Sequence, residues 1–189
     1  MVYSPCMRIA CAGSSGTGKT TIAKWVQEEF KLEFNPVGSR SVSKAMGFDN
    51  PYDVDKAGKR AEFQTKLLDD KVAWEEEHDS FITDRTTFDN LLYTALHDVH
   101  SIPEEQINKA ALALERYDLI IFFPVNVFCN IAGDPHRVVD MAYHRIYDAS
   151  LRGFFSTLAS EAVSVFYLEE ADLAFRKRVI SGCLSFLQA

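Results

Sequence analysis

The sequence predicts an α/β fold in which a parallel sheet is covered by helices on both of its faces. Strand-like and helix-like segments alternate along the 189 residues, a pattern typical of such sheets. Residues 119–123 are continuously apolar, which indicates a strand buried on both faces. Apolar residues make up 47% of the chain, enough for one core, and no linker or repeat is visible. We therefore predict a single domain over residues 1–189.

Local patterns set the predicted elements and their order along the chain. Short apolar runs indicate five strands, at 6–12, 32–37, 80–83, 118–123 and 163–168. Helical spacing of apolar residues indicates helices at 19–30, 56–78, 87–99, 101–115, 137–160 and 171–187. The polar, glycine-containing segment 38–55 is expected to be irregular, with at most one short helical turn.

The first strand and the first helix are joined by a glycine-rich loop. Residues 13–20 read GSSGTGKT and match the phosphate-binding pattern G-x-x-x-x-G-K-[ST] at every fixed position. In that context, glycines let backbone N–H groups turn around a phosphate chain, and the helix N-terminus adds partial positive charge. The predicted cofactor-binding residues are Gly13, Ser14, Ser15, Gly16, Thr17, Gly18, Lys19, Thr20 and Thr21.

The loop predicts ATP and Mg²⁺ as cofactors. Lys19 is expected to reach the β- and γ-phosphates, and the Thr20 hydroxyl to ligate Mg²⁺. A glycine-rich turn without function is the alternative, and the eight-residue match with both flanks disfavours it.

Asp84 and Arg85 follow the third predicted strand, at the sheet edge where open parallel sheets bind ligands. Asp84 there can accept a proton from an attacking hydroxyl or hold Mg²⁺. Arg85 can bind an anionic group of the acceptor. The alternative is a helix cap with a surface ion pair.

Two further segments offer binding residues. The segment 133–152 is predicted to be a lid, in which Arg137 and Arg145 cover charge on the transferred phosphoryl group. The alternative is a charged, solvated helix face. Beyond the second strand, Arg40 is expected to face the acceptor and Phe48 to stack on a base, unless Phe48 merely packs a loop.

Composition excludes several classes of function. The net charge of -7 argues against broad nucleic-acid binding, without excluding a local basic cleft. The four cysteines form no C-x-x-C pair, so we expect reduced thiols, no zinc site and a cytoplasmic location. No apolar run is long enough to span a membrane.

Taken together, these motifs resemble the nucleoside and nucleotide kinase branch of the P-loop proteins. The motifs on which the resemblance rests are the loop at 13–20, the SRS segment at 39–41, Asp84-Arg85-Thr86, the strand DLIIFFP at 118–124 and the lid-like helix. More narrowly, the chain resembles the small ATPase and kinase group that contains the ribosylnicotinamide kinase domain and phage-encoded, thymidylate-kinase-like proteins. The resemblance implies a P-loop NTPase three-layer sandwich with a five-stranded parallel sheet.

The resemblance also implies an acceptor and a set of roles. It implies catalytic roles for Lys19, Asp84, Arg85, Arg137 and Arg145. It also implies that Thr20 and Asp84 bind the metal. Because the fourth strand ends in Pro124 and carries no acidic residue there, Asp84 must supply the acidic function, either as base or beside the metal.

Several acceptors and two other classes of function stay open. The group includes phage proteins that phosphorylate 5-hydroxymethyluracil in DNA, so this base is the first acceptor that the resemblance implies. If the chain is phage-encoded, the expected location is the cytoplasm of the host. A deoxynucleoside monophosphate or nucleoside is the second, and a homodimer is compatible with either. A P-loop ATPase switch and a nucleotide-binding module without turnover are the alternatives of another class.

The first prediction concerns Lys19. Lys19→Ala should lower phosphoryl transfer by about 10²–10³-fold with little loss of folded protein, because the charge serves the phosphates and not a core. Single-turnover transfer and circular dichroism measure the two effects. Turnover close to that of the wild type would contradict the assignment of the loop.

Overall fold

Five parallel strands form one sheet in the computed structural model, which describes residues 6–98, 102–130, 140–158 and 163–187. The strands are β1 (Arg8–Ala12), β2 (Glu33–Phe34), β3 (Phe81–Asp84), β4 (Leu119–Phe122) and β5 (Ser164–Tyr167). Their order across the sheet is β2-β3-β1-β4-β5, and each neighbouring pair is parallel. The predicted parallel sheet is confirmed, and β1 lies at its centre.

Eight helices are found in the described part of the chain. They are α1 (Lys19–Phe30), α2 (Ser39–Ala45), α3 (Pro51–Lys56), α4 (Arg60–Glu76), α5 (Thr87–Asp98), α6 (Glu104–Leu114), α7 (Met141–Leu158) and α8 (Leu173–Leu187). Within the described ranges, no helix combines the length and the apolarity that crossing a bilayer requires.

Alternation along the central strands produces the three layers. Ile9 and Cys11 of β1 pack with residues of α1 and α8 on one face. Ala10 and Ala12, which alternate with them, pack with residues of α4, α5, α6 and α7 on the other face. Because successive side chains of a strand point to opposite faces, one strand contributes to two cores.

The segment between β2 and α4 differs from the prediction. Residues 38–55, expected to be irregular, hold the short helices α2 and α3, and the helix predicted from residue 56 begins at Arg60. Asn50 caps α3, accepting hydrogen bonds from the amides of Tyr52 and Asp53. Gly58, with a φ of +69°, breaks the path between α3 and α4. A capping side chain therefore starts a helix in the segment expected to be irregular, and a left-handed glycine delays the start of α4.

A buried ion pair connects α4 to the sheet. Lys71 and Glu75 are 1% and 3% exposed, and their charged atoms lie 3.2 Å apart. Glu75 also accepts hydrogen bonds from Asn35 after β2 (3.1 Å) and from Tyr117 before β4 (2.9 Å), while Lys71 donates to Thr83 of β3. The pair therefore aligns the carboxyl end of β2 with that of β3.

Removing one charge of this pair should destabilise the fold. We expect Glu75→Gln to lower the free energy of unfolding by about 3–5 kcal/mol, because Lys71 keeps its buried charge without a counter-ion. Lys71→Met combined with Glu75→Gln should be less unstable than Glu75→Gln alone. Urea unfolding of Glu75→Gln, of Lys71→Met and of the double variant measures the three free energies, and simple addition of the two single effects would contradict the paired arrangement.

Candidate functional site

The glycine-rich loop lies at the carboxyl end of the central strand, where its backbone geometry needs glycine. Gly13 has a φ of +132°, and a Cβ there would meet the carbonyl oxygen of Phe123 at 2.7 Å. Gly18, with a φ of +88°, is the N-cap of α1, and no side chain caps that helix. The first amides of α1 are therefore left to water or to an anion, as the motif predicts.

Lys19 of this loop is buried, at 4% exposed. Its ammonium group donates to the carbonyl oxygen of Ser14 and lies 3.4 Å from the Thr17 hydroxyl. Its pKa falls from 10.5 to about 8 because burial disfavours the ammonium and Arg85 repels it, although Asp84 acts in the opposite sense. The loop thus holds a partly desolvated cation whose charge an incoming phosphate would stabilise.

Thr20 and Asp84 meet at the mouth of the loop, where the Thr20 hydroxyl donates to Asp84 Oδ2. The other carboxylate oxygen, Asp84 Oδ1, is buried without a hydrogen-bond partner in the described structure. Hard oxygen ligands of this kind suit Mg²⁺, which keeps several waters and needs few protein ligands. The two residues therefore fit the predicted metal. No group of three His, Cys, Asp or Glu side chains poised to hold a metal occurs among the described residues.

Asp89 is one of the residues that the sequence analysis missed. It is fully buried and accepts hydrogen bonds from the amide of Gly13 (3.2 Å), from the amide and hydroxyl of Thr86 (2.9 and 2.8 Å) and from the hydroxyl of Tyr147 (2.8 Å). Its own amide bonds back to the Thr86 hydroxyl. Thr86-x-x-Asp89 has the capping-box spacing before α5, a signal that identifies the cap but not its link to the loop.

Arg85 lies between Asp84 and this cap, and it lines the cleft beside the loop. Its φ of +88° is rare for a residue other than glycine. The guanidinium contacts Asp89 (3.4 Å), Tyr147 (3.3 Å) and the Gly13 carbonyl (3.3 Å), and it lies over the ring of Tyr93. Such a backbone conformation persists only where the surroundings hold it, as at binding sites.

One cleft of about 960 Å³ contains the loop and continues past Asp84. Residues of α3, α4, α5 and α7 form its far end. Buried polar atoms there lack hydrogen-bond partners in the described structure, namely Arg60 Nε, Gln64 Oε1, Asn90 Nδ2 and Tyr143 Oη. Gln64 and Asn90 are 7% and 5% exposed. Because buried polar groups are normally satisfied, this end of the cleft has the character of a ligand site.

The structure divides the remaining predicted residues into those in the cleft and those outside it. Ser15, Gly16, Gly18, Lys19, Thr20, Thr21, Arg40, Asp84 and Arg85 line the cleft. Phe48 instead packs on the small core of α2, α3 and α4, as its alternative interpretation held. Arg145 is exposed on α7 and is not among the residues lining the cleft.

The predicted lid is only partly described. Arg137 and residues 133–139 lie outside the described ranges, so a catalytic role for Arg137 stays a prediction. Residues 141–152 belong to α7, whose inward side chains Tyr147 and Leu151 are buried in the core. Whether the lid moves also stays a prediction.

Solved structures share this fold. Shikimate kinase from Acinetobacter baumannii is 12% identical, with a TM-score of 0.59, and the match covers 97% of this chain and 94% of that one. Deoxyadenosine kinase from M. mycoides is 15% identical, with a TM-score of 0.64 and coverage of 96% and 100%.

A NadR structure shares the fold as well. NadR in complex with NR is 14% identical, with a TM-score of 0.66; the match covers 97% of this chain and 52% of NadR, so the chain spans about half of that protein. At such identities the likeness concerns the fold alone, and it confirms the predicted kinase-like P-loop architecture.

Sequence comparison supplies the family. No curated protein matches the chain significantly. A family model described as an AAA domain, however, matches residues 8–167, from the start of β1 to the end of β5. That span contains the phosphate-binding loop, Asp84 and the whole sheet, and the chain accordingly belongs to this family of P-loop AAA domains.

Proposed function

We propose that this protein is an ATP-dependent kinase that transfers the γ-phosphoryl group to a nucleotide-type acceptor. The observation that carries the proposal is the continuous cleft, which places Lys19 and Thr20 at one end and unpartnered buried amides at the other. Asp84 lines the same cleft beside Thr20, to which it is hydrogen-bonded. A donor and an acceptor can thus meet at one carboxylate, and proximity of this kind supplies much of the rate of phosphoryl transfer.

The residues of the loop would bind and orient the nucleotide. Lys19 would leave the Ser14 carbonyl and pair with the phosphate oxygens, where its charge regains a partner. Mg²⁺, held through Thr20 and Asp84, would neutralise part of the triphosphate charge. Arg85, already positioned by Asp89 and Tyr147, would face the transferred group without having to be ordered first.

The far end of the cleft supports an acceptor with a heterocyclic base. The Gln64 amide oxygen can accept a hydrogen bond and the Asn90 amide nitrogen can donate one, as the edge of a base requires. Tyr52, which is 41% exposed, lines the same region and has an aromatic ring of the kind on which bases stack. Such a lining suits one nucleoside or nucleotide in a cleft of ordinary ligand-site volume.

Two kinds of acceptor follow from this proposal. A deoxynucleoside monophosphate or nucleoside would enter the cleft directly. The 5-hydroxymethyluracil of DNA, favoured by the resemblance in sequence, would have to be flipped out of the duplex to reach Asp84. The net charge of -7 makes the DNA acceptor the harder of the two to bind.

A labelling experiment tests the proposed function. The protein is incubated with γ-labelled ATP, Mg²⁺ and one acceptor at a time from deoxynucleoside monophosphates, nucleosides and hydroxymethyluracil-containing DNA. Gln64→Leu should weaken labelling of the true acceptor and leave ATP binding intact, whereas Lys19→Ala should weaken every transfer. Label released only as free phosphate would indicate an ATPase switch, and ATP bound without any turnover would indicate a binding module.

Asp84 can be tested separately. Asp84→Asn should lower turnover by about 10²–10⁴-fold and raise the ATP dissociation constant far less, because the amide cannot take a proton or carry charge. Asp79→Asn, an exposed carboxylate before β3, controls for loss of charge. If ATP affinity collapses while single-turnover chemistry survives, Asp84 acts as a ligand on the nucleotide side and not as a base.

Nucleotide affinity should depend on pH through Lys19. The free protein holds the pKa of Lys19 at about 8, and a bound triphosphate raises it, so binding takes up a proton above that pH. The dissociation constant of Mg–AMP-PNP should be constant below about pH 7 and rise by up to about ten-fold per pH unit above pH 8. Lys19→Arg, which stays charged, should show no such rise. A flat profile for the wild type would exclude Lys19 as the titrating group.

A further inference from the structure

A buried hydrogen bond ties the phosphate-binding loop to α7. The Ser14 hydroxyl and Nδ1 of His144 lie 2.6 Å apart, and both side chains are fully buried. The backbone of Ser14 is hydrogen-bonded as well, because its carbonyl oxygen accepts hydrogen bonds from Lys19 and from the Thr17 hydroxyl (2.9 Å). A hydrogen bond shielded from water in this way transmits displacement of one partner to the other.

Two residues of α7 next to His144 connect it to both ends of the cleft. Tyr143 lines the far end, where its hydroxyl has no hydrogen-bond partner in the described structure. Tyr147, one turn later, bonds to Asp89, which in turn holds the amide of Gly13. The beginning of α7 therefore contacts the loop at Ser14 and, through Asp89, at Gly13, while presenting a side chain to the acceptor region.

Occupation of the loop disturbs this arrangement at Ser14. If Lys19 turned toward a bound phosphate, the Ser14 carbonyl would lose one of its two donors and keep only the Thr17 hydroxyl, so the hydrogen bonding around Ser14 would change. The change reaches His144 because the hydrogen bond lies on the side chain of the same residue. Tyr143 precedes His144 directly, so it shares any shift in the first turn of α7.

We propose that His144 is a positioning residue that couples nucleotide binding at the loop to the acceptor end of the cleft, through its hydrogen bond to Ser14. The inference rests on the proposed binding of a nucleotide triphosphate at residues 13–20. By linkage, a bound nucleotide then strengthens acceptor binding at Tyr143, and a bound acceptor strengthens nucleotide binding by the same factor.

Hydrogen exchange with Mg–AMP-PNP as the probe tests the coupling without an acceptor. In the wild type, we expect exchange to slow by about five-fold or more both at residues 13–20 and at residues 144–150. His144→Leu should keep the protection at 13–20 and lose it at 144–150. His144→Asn, which has similar size and places a polar atom at the position of Nδ1, should keep both.

Two further variants separate the hydrogen bond from a general effect on α7. Ser14→Ala removes the same bond from the loop side with a minimal change of volume, so it should also lose the protection at 144–150, and it supplies that test even if His144→Leu folds poorly. Ile146→Ala, at an exposed position of α7, should behave like the wild type. The double variant, which carries both Ser14→Ala and His144→Leu, should bind Mg–AMP-PNP no more weakly than the single variant with the lower affinity. Both substitutions remove the same hydrogen bond, so their effects should not add.

The outcomes distinguish this proposal from the proposed function. Protection at 13–20 without protection at 144–150 in the wild type would overturn the coupling and leave nucleotide binding standing. Equal protection at 144–150 in the wild type and in Ser14→Ala would also overturn it. Absence of protection at 13–20 in the wild type would instead overturn the nucleotide site, and the coupling with it.

Discussion

The site depends on one buried carboxylate. Asp89 is fully buried, and its oxygens are occupied by donors from the phosphate-binding loop, from the cap of α5 and from α7. A buried charge is tolerated only when hydrogen bonds replace its water, so these three segments cannot separate without exposing it. The same carboxylate orients Arg85 toward the cleft. One residue outside the nucleotide motif thereby sets the geometry of the residues that the motif supplies.

Further buried charges surround the cleft, and each bears on a different segment. The pair of Lys71 and Glu75 aligns the ends of β2 and β3. Arg176 of α8, 3% exposed, donates to the Thr17 carbonyl of the loop (2.9 Å) and lies over the ring of Phe128. Taking a charge out of water costs free energy even when the charge has partners. These contacts therefore fix the positions of the segments that they join at some expense of stability.

Prediction from sequence succeeded where a pattern is local and failed where contacts between distant segments decide. The order of the strands along the chain, the glycine-rich loop and the place of Asp84 at a strand end all follow from short stretches of residues. The prediction for segment 38–55 was wrong, because its apolar periodicity is weak and the start and end of α3 depend on the cap by Asn50 and the turn at Gly58. Phe48 has the character of a base-stacking residue, yet it packs, half-buried, against the small core of α2, α3 and α4.

By itself, the sequence determined the motif of the loop, because glycines, one lysine and one threonine at fixed spacing form the phosphate-binding pattern within eight consecutive residues. It also determined the layers, since the central strands are apolar on both faces and each face therefore needs a layer of helices to cover it. Only the tertiary structure decided which polar residues join the loop. His144 meets Ser14 across 130 positions and Asp89 meets Gly13 across 76. No local pattern encodes such pairs, because they arise when packing brings distant segments together and burial makes each polar atom find a partner.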